Sequence, residues 1–94
     1  MNTEELYEKF NVYFDVGDKV IFILKRGYKI EDNGRNFPRT LYKSADERHL
    51  EKVRVKILDY RPSVPGNLDI DCESEDGIGI RIKLSQCANL ELLI

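Results

Sequence analysis

Two periods organise the apolar residues of this chain. Leu6, Phe10, Tyr13 and Phe14 fall at i, i+4, i+7 and i+8, which puts them on one face of a helix. The spacing predicts a helix over residues 3–12, or 2–13 with its caps. Asn2 or Thr3 can cap it, Glu4 and Glu5 suit the positive end of its dipole, and Asn2 and Glu5 have capping-box spacing. The β-rich Val12, Tyr13 and Phe14 then lead out of it. After Gly17-Asp18, a turn, the period drops to two. Val20, Phe22 and Leu24 face one way and Ile21 and Ile23 the other, so the strand Lys19–Lys25 is covered on both sides, one of them by the N-terminal helix. The next apolar strand starts only at about Val53, where Val53, Val55 and Ile57 alternate with Arg54, Lys56 and Leu58.

The remainder is hairpin-like. "VPGN", Val64 to Asn67, has Pro and Gly at the two central positions of a type II turn. Leu68, Ile70 and Cys72 point inward, and Asp69 and Asp71 outward. "EDGIG" carries an Asp-Gly hairpin signal. Ile78, Ile80, Ile82 and Leu84 alternate with Gly79, Arg81 and Lys83. "SQCAN" reads as a turn, and Leu90 and Leu92 as a brief last strand.

The pattern predicts a mainly β protein with five strands, a short N-terminal helix and a long loop, residues 26–50, between strands 1 and 2. "GDKV", "VRVKILD", "GIGIRIKL" and "SQCANLELL" together resemble an SH3-like small β-barrel over about Val16 to Ile94. The resemblance implies a long loop after the first strand, two hairpins, and a single 3₁₀ turn before the last strand. "GDKVIFILKRGYK" is similar to the opening of KOW-type and Tudor-type barrels, which bind nucleic acid or protein. Signalling SH3 domains use a tryptophan and an acidic-aromatic loop for proline-rich ligands. This chain has no Trp and its loop is basic, so that activity does not carry over.

At 94 residues the chain forms one domain, 1–94, because a second core would not fit. Apolar residues at 41% and charged residues at 34% describe a well-charged globular chain and argue against disorder. No apolar run approaches the ~20 residues that span a bilayer, and the acidic N-terminus does not resemble a signal peptide, so a cytoplasmic, non-membrane protein is expected. Cys72 and Cys87 lack the density of a disulfide scaffold and the CxxC spacing of a zinc or redox site, and are read as free, partly buried thiols.

Charge is polarised along the chain. Lys25–Lys56 holds ten basic and five acidic residues, and the rest holds five basic and twelve acidic. Loops longer than ~12–15 residues are uncommon in small domains and often functional. Within this one, Tyr28, Phe37 and Tyr42 are interleaved with Arg26, Lys29, Arg35, Arg39 and Lys43. These eight residues are the candidate partner-binding site. Tyr and Arg are enriched at protein-binding hot spots. Cations with stacking rings equally suit single-stranded DNA or RNA. The plainer reading folds the loop over its own barrel, with Phe37, Leu41 and Tyr42 plugging one end. "SADERHL" reads as a helical turn capped by Ser44, with Glu47 at the capping-box position.

The acidic run Asp69, Asp71, Glu73, Glu75 and Asp76 lacks the spacing of an EF-hand loop. It reads as a solvated sheet edge guarded by charge, or as a surface for weak self-association with the basic loop of a second copy. His49 is the only histidine and is expected at the surface. Cys72, Cys87 and His49 have neither the spacing nor the number for a zinc site. No nucleophile elbow, P-loop or HExxH occurs, so neither an enzyme nor a cofactor is expected. The chain is therefore read as a binding or regulatory protein, of the size of bacterial or phage accessory proteins. A protein partner is favoured because the net charge is −2; a nucleic-acid ligand on the same loop is the alternative.

Overall fold

The computed structural model describes residues 14–31, 38–63 and 67–93. The predicted N-terminal helix, Arg35, Phe37 and most of the VPGN turn lie outside them. Among the described residues seven strands form: β1 (Lys19–Leu24), β2 (Tyr28–Ile30), β3 (Leu41–Lys43), β4 (Lys52–Pro62), β5 (Leu68–Ser74), β6 (Gly79–Lys83) and β7 (Cys87–Leu92). A 3₁₀ turn, Leu84–Gln86, precedes β7. Five strands make one antiparallel sheet in the order β6-β5-β4-β1-β7, and β2 and β3 make a second, two-stranded sheet.

The fold is mainly β, as expected, but it departs from the predicted five-stranded barrel. The excursion after β1 pairs with itself, which adds two strands. The large sheet is also open. The outer edge of β6 is occupied by Arg39, whose N–H donates to Gly79 O at 2.8 Å and whose carbonyl accepts the Arg81 N–H at 2.8 Å. That bridge takes up the edge at Gly79 and Arg81.

The alternation of the sequence sets the core. Val20, Phe22 and Leu24 of β1 meet Val53, Val55 and Ile57 of β4, and all are buried. Leu68, Ile70 and Cys72 of β5 and Ile80 and Ile82 of β6 extend the same layer. Ile21 and Ile23, on the opposite face of β1, are half-buried. Phe14 is 2% exposed and stands edge-on to Tyr60, with ring centroids 5.3 Å apart. A bulge between Ile57 and Asp59 breaks the β4–β5 register, and Leu58, on the outer face with Arg54 and Lys56, is exposed.

Turns hold the strands in register. The turn Ser74–Gly77 is closed by Gly77 N–H to Ser74 O at 3.0 Å. Gly77, at φ 80°, adds the one-residue bulge that fits this turn to the strand twist. The 3₁₀ turn is tied to the start of β5 by Asn67. Its Nδ2 donates to Ser85 Oγ at 3.0 Å, and its Oδ1 accepts the Leu68 and Ser85 N–H groups. The cysteine expected in this turn, Cys87, instead begins β7, where it is buried.

Candidate partner-binding hairpin

The site begins at a turn. Tyr28 N–H donates to Lys25 O at 3.1 Å, and Gly27 takes φ 90°. A side chain is strained at that angle, and a Cβ there would also lie 3.3 Å from Lys43 Cε. Gly27 joins the turn to the far side of the excursion: its N–H donates to His49 O and its carbonyl accepts the Ser44 N–H. From this pivot β2 runs back against β3, with Tyr28 opposite Lys43, Lys29 opposite Tyr42 and Ile30 opposite Leu41.

Period two then divides the hairpin into faces. Tyr28 and Ile30 pack against the core and Leu41 is buried, so this face holds the hairpin to the body. Lys43 closes the same face at its end, its ammonium 5.3 Å from the Tyr28 ring centroid, a cation–π distance. Lys29 and Tyr42 project the other way, side by side, and Tyr42 is 43% exposed. Arg26 lies at the turn, its Nη1 donating to Arg48 O at 3.4 Å.

The structure thus brings Arg26, Tyr28, Lys29, Tyr42 and Lys43 together. It sends Arg39 elsewhere, half-buried and bonded through its backbone to β6. Leu41 is buried against the core, and Tyr42 is not.

Two residues of this region were not anticipated. Leu50 is 48% exposed beside the hairpin's anchor. Its signal was a lone apolar residue in the charged run "DERHLEK". Glu51 ties β2 down, its Oε2 accepting the Ile30 N–H at 3.2 Å. His49 is half-buried, with Nε2 3.6 Å from Glu51 Oε1, and so is less exposed than expected. The expected helical turn at Ser44 is a β-turn instead. Asp46 Oδ1 accepts the Arg48 N–H and Asp46 O the His49 N–H, a side-chain bond that competes with helix.

The acidic run also changes meaning. β5 is flanked by β4 and β6, so it is no sheet edge. Asp71 sits between two arginines, 2.8 Å from Arg81 Nε and 3.7 Å from Arg61 Nη1. The hydrogen bond to Asp71, and then its charge, raise the Arg81 pKa above the ordinary guanidinium value. Glu75 pairs with Arg54 at 3.6 Å. Among the described residues no three His, Cys, Asp or Glu side chains are grouped so as to hold a metal ion, and no helix is long and apolar enough to cross a membrane. Burial first, then the charges of Cys87 and Asp71, push the Cys72 thiol well above the ordinary thiol range, which favours the neutral thiol.

Compared with known proteins, the chain matches no protein-family model, no curated protein and no solved structure.

Proposed function

We propose that the protein is a non-catalytic binding module of SH3-like type that docks on a protein partner through the outer face of the β2–β3 hairpin. The observation that carries this reading is the Lys29–Tyr42 pair, held outward by a hairpin whose other face is fixed to the core. A pre-ordered aromatic beside a cation has the composition of an interface hot spot, and its rigidity lowers the entropy lost on binding. Leu50 adds apolar area nearby.

A protein is favoured over a nucleic acid by the count of usable rings. A single strand needs successive aromatic platforms, and of Tyr28 and Tyr42 only Tyr42 is exposed. Glu31, Asp46, Glu47 and Glu51 also interrupt the basic surface. The SH3-like reading draws support from the single long excursion after β1, the two hairpin connections β4–β5–β6, and the 3₁₀ turn before β7. Two buried free thiols fit a cytoplasmic setting, and the size fits a bacterial or phage accessory protein.

The test is affinity capture from the native host with the wild type, Tyr42→Ala and Lys29→Ala. Each variant is first checked by thermal melting for an unchanged fold. A specific partner retained by the wild type and lost with Tyr42→Ala is the expected result. In parallel, single-stranded oligonucleotides are titrated across a salt series, where each neutralised phosphate adds roughly −0.7 to the log–log slope. Tight oligonucleotide binding at physiological salt, abolished by the same substitutions, would replace the protein reading with the nucleic-acid one.

A further inference from the structure

At the far end of β1 from the hairpin, the outer face of the large sheet holds a recess of about 430 Å³. Lys19 and Lys56 stand directly opposite each other across β1 and β4 on its wall. Like charges placed this way repel. Of the other cations on this face, Arg81 and Arg61 lie by Asp71, and Arg54, which also lines the recess, lies 3.6 Å from Glu75. Glu73 is opposite Lys56 in the β4–β5 register, but its Oε1 lies over the β5–β6 turn, 3.5 Å from where a Cβ on Gly77 would be. Among the described residues no carboxylate lies within 4.0 Å of either lysine ammonium.

We propose that this recess binds a small phosphate monoester, with the phosphate bridging Lys19 and Lys56. Two lysines opposed across neighbouring strands are best neutralised by one group carrying nearly two negative charges, and a phosphate monoester carries about −1.5 to −2 at pH 7. The recess is larger than a phosphate and lies within the usual range of about 300–1,000 Å³ for small-molecule sites. Half-buried Leu93 lines it as well and gives an organic body apolar contact. Glu73 and Glu75 on the opposite wall repel a second anionic group. This selects a compact monoester over a polyphosphate or a nucleic-acid strand. The site is independent of the hairpin, about 16 Å away along the five residue steps of β1.

The test uses phenyl phosphate, inorganic phosphate and benzoate at matched ionic strength. Binding is followed by calorimetry and by the amide shifts of Lys19 and Lys56. Saturable one-site binding of phenyl phosphate, tighter than that of inorganic phosphate or benzoate, is expected. Lys19→Gln and Lys56→Gln should each weaken it tenfold or more, and Lys52→Gln, exposed on β4 but outside the recess, should leave it unchanged. Affinity should fall as pH drops below about 6, where the monoester takes up its second proton. Benzoate binding as tightly as phenyl phosphate, an equal loss with Lys52→Gln, or no saturation would each overturn the proposal.

Discussion

The two hairpins on either side of β4 in the chain use their charged residues in opposite ways. In β5–β6, inside the large sheet, Asp71 is held between Arg61 and Arg81, and the adjoining turn's Glu75 by Arg54. In β2–β3, Lys43 turns back over Tyr28, but Tyr42 is exposed with half-buried Lys29 opposite it. The charges of the first hairpin hold the protein's own strands in register. Those of the second remain available to another molecule. A stretch rich in one charge is therefore not a binding surface until its cross-strand neighbours are known.

The comparison can be broken most easily at the core. Ile82 is fully buried on β6, and Ile82→Ala should cost ~2–5 kcal/mol in a urea melt. A cost below 1 kcal/mol would mean that the β5–β6 register is wrong. At the other hairpin the sensitive point is the pivot. Gly27→Ala places a side chain at φ 90° against Lys43 and should cost ~1–3 kcal/mol, with the β2–β3 amides losing hydrogen-exchange protection first. Uniform loss of protection across the molecule would show that the hairpin is not a separate unit.

Cys72 sharpens the contrast by pH. Its pKa is raised in the folded state, so this contribution is fully present below the unfolded thiol value of about 8.5 and is lost as pH rises above it. Stability should decline there by up to ~1.4 kcal/mol per pH unit from this group. Cys72→Ala should flatten that alkaline slope, and an unchanged slope would remove Cys72 as its source. The smallest effect belongs to the ion pair. A double-mutant cycle on Asp71→Asn and Arg81→Gln should give a coupling of ~0.5–1 kcal/mol, because both groups are partly solvated. No coupling would mean that the two hairpins do not differ in how their charges are used.

Strands β4, β5 and β6 were legible because each carries its own alternation, as in Val53-Arg54-Val55-Lys56-Ile57, and β1 because its apolar run is continuous; the start of β7, which has no period of two, was read as a turn. β2 and β3 were not, since three residues are too few to show a period and their pairing joins segments thirteen residues apart. Arg39 looked like a ligand-binding cation because composition does not reveal that a backbone will bond to Gly79 and Arg81. The acidic run was misplaced for a different reason. The hairpin connections on both sides of Leu68–Ser74 already put that strand in the interior of a sheet, and its charge drew attention away from them. Within the site, Tyr42 and Tyr28 have the same composition signal. Only the register separates the ring that packs from the ring that shows.

The bond between Arg39 and β6 has a consequence for how the protein survives its own binding. An uncovered sheet edge recruits strands from other chains and seeds aggregation. Residues 38–40 prevent this from within, as a chaperone in cis, and they are continuous with β3. Any event that draws the hairpin away from the body, whether a partner's pull or a protease cut, also bares β6. Engagement and solubility are thereby set against each other in one segment. Under the proposed docking mode, a partner that grips Tyr42 and Lys29 from outside leaves Leu41 and the covered edge of β6 where they are.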